Sequence, residues 1–307
     1  MSLMINRRAF VQKAATVVSA GSMAVADTGE CGSLDAVPFR QQMKKAVKFG
    51  MIRTSGTVEE KFSLLKKLGY DGVEVDSPTD LDRDEVLAAR DSVGIEIHGV
   101  VDSAHWRQPL SDPDLKVRKT GIKALQTALH DAKYYRASTV LLVPAVVSKK
   151  VSYSEAYKRS QEAIHEVLPL ASELGVKIAI ENVWNQFLLS PLEFARYLDE
   201  FENDAIGAYF DVGNIVNYGW PEHWIAALGH RILKLDIKEY SRSRRDNEGL
   251  WKGFQVKIGD GDCDWPAVRR ALKTIDYHGW ATAEVPGGDQ LRLQEVAERM
   301  NKVLALT

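Results

Sequence analysis

From about Ala46 onward, short runs of β-branched and apolar residues alternate with longer stretches in which apolar residues recur every three or four positions. The short runs predict strands over Val47–Ile52, Gly72–Asp76, Glu96–Val101, Thr139–Pro144, Lys177–Asn182, Gly207–Val212, Ile232–Lys238 and Trp280–Val285. The longer stretches predict helices over Val58–Leu68, Leu115–Tyr135, Tyr153–Leu174, Leu192–Phe201, Trp265–Ile275 and Leu291–Leu304. Ile122, Leu125, Leu129 and Ala132 show the helical spacing plainly. Strands that alternate with helices eight times point to the α/β class and, within it, to a (β/α)8 TIM barrel. A doubly wound sheet is the other architecture to weigh. It would need a glycine-rich phosphate turn after the first strand, and Gly50-Met51-Ile52-Arg53 supplies none. No Pro/Gly-rich linker divides the body, so residues 46–307 read as a single domain. The longest irregular stretch, Glu239–Asp264, is polar and basic and would follow the seventh strand as a lid.

The N-terminus has another pattern. Asn6-Arg7-Arg8-Ala9-Phe10-Val11 precedes a small-residue, mildly apolar run from Ala14 to Ala26 that ends Ala24-Val25-Ala26. This predicts a signal peptide over residues 1–26, its Arg pair and Phe resembling the twin-arginine class, followed by a linker over 27–45. The run is too short and too weakly apolar to span a bilayer, so no membrane anchoring is expected after cleavage. The expectation is a bacterial protein exported folded to the periplasm.

Charge narrows the classes of partner. Forty Lys and Arg against forty-two Asp and Glu give −2, and loss of residues 1–26 would make it −5. No basic field exists to attract nucleic acid or anionic lipid. Two cysteines, Cys31 and Cys263, make neither a disulfide framework nor a thiolate metal site and read as unrelated thiols.

Barrel chemistry sits at the C-terminal ends of the strands. Four consecutive predicted strands end an apolar run in an acid: Glu181, Asp211, Asp236 and Glu284. Four carboxylates converging on one mouth repel unless a cation or protons compensate. A divalent metal does so, and oxygen-only ligands favour Mg2+, Mn2+ or Ca2+ over zinc.

These residues bring a family into view. The chain from Lys48 to Leu304 resembles the sugar phosphate isomerase/epimerase superfamily with its xylose isomerase-like barrel. The resemblance rests on Leu68-Gly69-Tyr70-Asp71-Gly72-Val73-Glu74, Ile180-Glu181-Asn182, Phe210-Asp211-Val212-Gly213-Asn214, Ile258-Gly259-Asp260-Gly261-Asp262-Cys263-Asp264-Trp265 and Tyr277-His278-Gly279-Trp280 before Glu284. It implies that Glu181, Asp211, Asp236 and Glu284 bind a divalent metal, with Mn2+ or Mg2+ favoured. It further implies that Glu181 and Glu284 exchange a proton alpha to a carbonyl through an enediolate. Two positions depart from the family pattern. Its strand-seven His-x-Lys-Asp reads Asp236-Ile237-Lys238-Glu239 here, and its Asp-x-Gly-His reads Asp211-Val212-Gly213-Asn214. The first makes the site more acidic; the second keeps a hydrogen-bonding side chain in place of an imidazole.

The same resemblance makes Arg242 a candidate contact to substrate oxygen, and Asn214 another. Lys238 is a candidate at the mouth or else a structural partner of Glu239. His98 and His105-Trp106 are expected to face the mouth, Trp106 as an apolar wall for a sugar, and Glu74 ends the second strand. The function expected is an isomerase or epimerase of a sugar or sugar-derived ketone. The alternatives are a lyase or dehydratase acting on a keto-sugar or keto-glycoside with the same residues, and a non-catalytic carbohydrate-binding barrel. The related apurinic endonucleases need a His-rich, multi-zinc mouth and a basic surface, which this chain lacks. The expected partner is a small carbohydrate. Barrels of this kind often dimerise, which leaves a homodimer open.

Overall fold

A computed structural model describes residues 43–306. The signal-peptide reading and Cys31 lie outside the described residues. Eight parallel strands close into a barrel in sequence order: β1 (Lys44–Lys48), β2 (Gly72–Ser77), β3 (Glu96–Asp102), β4 (Thr139–Leu142), β5 (Lys177–Glu181), β6 (Ile206–Asp211), β7 (Ile232–Ile237) and β8 (Trp280–Ala283). β8 pairs with β1 through Lys44–Trp280 to Val47–Ala283, which removes both sheet edges.

The helices are α1 (Val58–Lys67), α2 (Arg83–Val93), α3 (Leu115–Tyr135), α4 (Tyr153–Leu174), α5 (Pro191–Asp199), α6 (Val212–Val216), α7 (Pro221–Leu228), α8 (Arg242–Glu248), α9 (Trp265–Thr274) and α10 (Gln290–Leu304); all but the short α6 and α8, which lie in the loops after β6 and β7, form the outer layer. Local chemistry sets their ends. Thr57 and Ser152 start α1 and α4 with reciprocal capping boxes to Glu60 and Glu155, and Gly175 ends α4 in the left-handed conformation. Apolar stripes such as Phe194, Tyr197 and Leu198 of α5 are buried against the sheet, each worth about 1.5–3 kcal/mol relative to exposure. Among the described residues no helix is long and apolar enough to cross a membrane.

The first strand and an unpredicted helix, α2, differ from expectation. The first strand lies at Lys44–Lys48, before the predicted Val47–Ile52, so the barrel begins inside the stretch assigned to the linker. Its lysines hide it: Lys45 is buried and donates to Asn301 Oδ1 at 2.8 Å, while Phe49–Met51 coils into a 3-10 turn. The helix α2 is polar enough to escape a periodicity search, but Asp82 caps it through the Asp84 and Glu85 amides.

One consequence concerns Asp102, at the end of β3. Only 1 % exposed, with one oxygen accepting from the Ala104 amide, it has its carboxyl pushed up to about 7 by burial. A raised carboxyl pKa favours the fold at low pH. Its contribution is complete below the unfolded value near 4 and is lost as pH rises to about 7, at a total of about 2–4 kcal/mol. Asp102→Asn should therefore flatten this part of the stability–pH profile, measured by denaturant unfolding between pH 4 and 8.

Candidate active site

The four predicted acids meet. Glu181 closes β5, Asp211 closes β6, Asp236 lies near the end of β7 beside Asp211 in register, and Glu284 follows β8. Each offers a carboxylate oxygen, and these oxygens lie within 4.8 Å of one another. Asn182, a residue the sequence reading did not single out, ties two of the strand ends together. Its amide donates to the Asp211 carbonyl and accepts from the Asp211 N–H, both at 2.8 Å. Asp211 Oδ1 in turn accepts from the Asn214 amide at 2.9 Å and caps α6, while Asn214 Nδ2 donates to the Asn182 carbonyl at 3.0 Å. Gly213 is required by close approach: a Cβ there would sit 2.7 Å from the Lys238 backbone carbon.

Two ammonium groups enter the acid cluster. Lys238 Nζ lies 2.9 Å from Asp211 and is also paired with Glu284. Lys48 Nζ, which the sequence reading missed, lies 2.9 Å from both Asp236 and Glu284 and 3.7 Å from Glu74. The electrostatics follow from this arrangement. Burial and the neighbouring acids hold the Glu181 and Asp236 carboxyls well above the usual carboxylate range. Burial raises Asp211 too, though Lys238 opposes it. Burial alone would also raise Glu284, but Lys238 and Lys48 outweigh it and hold that carboxyl low. For Lys48, burial lowers the pKa and the surrounding carboxylates more than reverse the effect.

The donor set fits a hard divalent cation. Asp236 Oδ1 is buried with no hydrogen-bond partner, Asp211 Oδ2, Asp236 Oδ2 and Glu284 Oε2 meet only the two ammonium groups, and all four residues offer oxygen. Lys48 would compete with such an ion for Asp236 and Glu284. Lys48→Met should therefore tighten Mn2+ binding about tenfold, measured by titration calorimetry.

A cavity of about 450 Å³ opens above the acids, and Glu181, Glu284, Lys238, Asn214 and Trp106 line it. Trp106 is 52 % exposed and stands as part of an apolar wall. Neighbouring His105 is buried, with Nδ1 accepting from the Val143 amide at 3.3 Å, and burial pushes its pKa down to about 3.

Four of the candidates take other places or partners than those weighed from the sequence. His98 lies inside the barrel but toward the N-terminal ends of the strands, stacked on Trp280 at 4.4 Å and bonded to Lys234 Nζ at 2.9 Å. It sits where β3 is irregularly registered on β2, which pairs Val73 with Ile97 and Glu74 with Gly99. Arg242 does not line the cavity; its guanidinium donates to the Val216 and Gly219 carbonyls at 2.8 Å and covers the Trp220 ring. Glu239 does not pair with Lys238. Its carboxylate accepts from the amides of Gly259, Cys263 and Tyr240 and from Trp265 Nε1. Glu74 is buried beneath Lys48, accepting from the Tyr209 hydroxyl at 3.3 Å, and is not among the cavity-lining residues.

The predicted lid carries structure of its own, with α8 and a 3-10 turn over Leu250–Phe254. It brings Trp251 and Phe254 against Trp184, ring centres 5.0 and 4.8 Å away. Trp184 Nε1 donates to the Asn214 carbonyl at 2.8 Å. Trp184 stands three residues beyond Glu181 in the loop after β5, a position where a sequence search for site residues could have found it.

A closed parallel barrel with its acids at the C-terminal mouth defines a (β/α)8 protein of enzyme type. Residues 62–304 match the xylose isomerase-like TIM barrel family, and the chain belongs to that family. It is similar to L-ribulose-5-phosphate 3-epimerase UlaE of Escherichia coli O1:K1, 26% identical over 266 residues that cover 79% of this chain and 90% of the relative. Among solved structures it superposes on D-allulose 3-epimerase from Methylomonas sp. with a TM-score of 0.70 at 17% identity, covering 86% of this chain and 99% of the other. It superposes on the E. coli 3-keto-D-glucoside 4-epimerase YcjR with a TM-score of 0.71 at 15% identity, covering 86% and 100%. Each of these three proteins is named as a sugar epimerase.

Proposed function

We propose that the protein is a divalent-metal-dependent isomerase or epimerase that removes and returns a proton alpha to the carbonyl of a sugar or sugar-derived ketone. The observation that carries this reading is the convergence of Glu181, Asp211, Asp236 and Glu284 at one barrel mouth, beneath a cavity of sugar-accommodating size. Asp211 and Asp236, both fully buried, would hold Mn2+ or Mg2+ together with the two glutamates. Bound there, the ion supplies positive charge beside the keto oxygen and makes the adjacent C–H more acidic.

The chain's own residues do the rest. Glu181 and Glu284 come from β5 and β8, so their carboxylates can address a substrate carbon from two sides. One takes the proton and the other returns one to the same carbon from the opposite side, which inverts the centre; return to the neighbouring carbon, with the hydroxyl proton passing to the former carbonyl oxygen, moves the carbonyl. Lys238, between Asp211 and Glu284, contributes a cation beside the oxygen that becomes negative. Asn214 and Trp106 line the space that the sugar would fill. On the signal-peptide reading of residues 1–26, this chemistry takes place in the periplasm.

The experiment is proton NMR in D2O with Mn2+-loaded protein and a panel of ketoses. Loss of the signal alpha to the carbonyl, with growth of an epimer or aldose, is expected. An unsaturated product would instead mark elimination begun by the same abstraction. No exchange with any ketose would overturn the reading.

A further inference from the structure

The cavity above the acids has a neighbour across its aromatic wall. A second cavity of about 410 Å³ lies beyond it, and the two share Val183, Trp184 and Trp251. Leu189, Tyr218 and Leu250 line the second space; all three are exposed, and Trp251 is 66 % exposed. Large apolar side chains open to water around a cavity that adjoins a site mark a surface kept for a ligand. Flat aromatic faces suit the C–H faces of a sugar ring or an aromatic ring.

Charge points the same way. Among the described residues Lys238 is the one Lys or Arg lining either cavity, and Asp211 and Glu284 already engage it. A phosphate monoester on the sugar would find no second Lys or Arg among the described residues that line either cavity.

We propose that the substrate is an unphosphorylated keto-sugar joined to a second ring, with the keto ring over the acids and the second ring between Trp184, Trp251 and Tyr218. The inference rests on the proposed function for the keto ring's placement. A glycosyl residue and an aromatic aglycone present the same flat apolar face, and the test separates them.

Binding is followed by titration calorimetry on the full chain with Mn2+, so that the result stands apart from turnover. The probes are D-fructose, D-fructose 6-phosphate, the two-ring ketoses lactulose and isomaltulose, and 4-nitrophenyl 3-keto-β-D-glucoside. At least one two-ring class, disaccharide or aryl, should bind about tenfold more tightly than D-fructose, and D-fructose 6-phosphate should bind no better than D-fructose. Which class binds tighter identifies the second ring. Trp251→Ala, at an exposed position, should bring the two-ring to one-ring ratio close to one. Trp220→Ala, at an exposed tryptophan outside both cavities, should leave the ratio unchanged. Tightest binding by the phosphate, equal binding of one-ring and two-ring probes, or a ratio that survives Trp251→Ala would overturn the proposal. Two-ring preference without proton exchange would uphold it and count against the catalytic reading alone.

Discussion

Glu181→Gln is expected to lower kcat for alpha-proton exchange by about 10²–10⁴-fold, the usual worth of a positioned general acid or base. The carboxylate sits at the end of β5, buried, with oxygens directed into the same small volume as those of Asp211, Asp236 and Glu284. Gln keeps the length and one oxygen but can neither accept a proton from carbon nor contribute charge to a cation. The fold should tolerate the change. Removing one acid from a cluster whose members raise each other's pKa relieves repulsion, so the Tm should not fall. Retention of more than a tenth of wild-type exchange would remove Glu181 from the chemistry.

The second large effect concerns stability. Glu239 is 1 % exposed, and four donors converge on its carboxylate: Gly259 N at 2.8 Å, Trp265 Nε1 at 2.8 Å, and the Cys263 and Tyr240 amides at 3.1 Å. These donors span the lid from its root to the start of α9. Gly261 fits this packing, since a Cβ there would lie 2.6 Å from the same carboxylate. Glu239→Ala strands the buried donors and should cost about 3–5 kcal/mol. For a barrel of this size that is a Tm loss of roughly 10 °C by calorimetry. Proteolysis within residues 249–264 should also accelerate, because the hub that holds the segment is gone. An unchanged Tm would mean that the lid is held by its aromatic contacts instead.

The acids of the site were legible because a barrel strand is buried on both sides. An Asp or Glu ending such a run has no bland place to go, and the topology brings neighbouring strand ends together. Depth within the barrel was not legible. His98 points inward, as periodicity allows, yet a register irregularity and its place early in β3 put it with Lys234, Trp280 and Thr282, outside the acid cluster. Lys48 was missed for a related reason. Lysines at 44, 45 and 48 disguise β1, and drawing the strand a few residues late puts Lys48 at the wrong end of it. Arg242 shows the limit of reading a loop by spacing, because backbone carbonyls of α6 and the following turn satisfy its guanidinium. Glu239 looked like a simple partner for its neighbour, and only the folded lid shows what it holds.

Metal stoichiometry of the purified protein tests the carboxylate centre most directly. Elemental analysis after dialysis against Mn2+ should give about one ion per wild-type chain and a marked loss in Asp211→Asn, whose side chain is fully buried within the cluster. A wild-type chain that takes up no Mn2+ or Mg2+, or an Asp211→Asn chain that binds it as well as wild type, would contradict a metal centre built on Glu181, Asp211, Asp236 and Glu284.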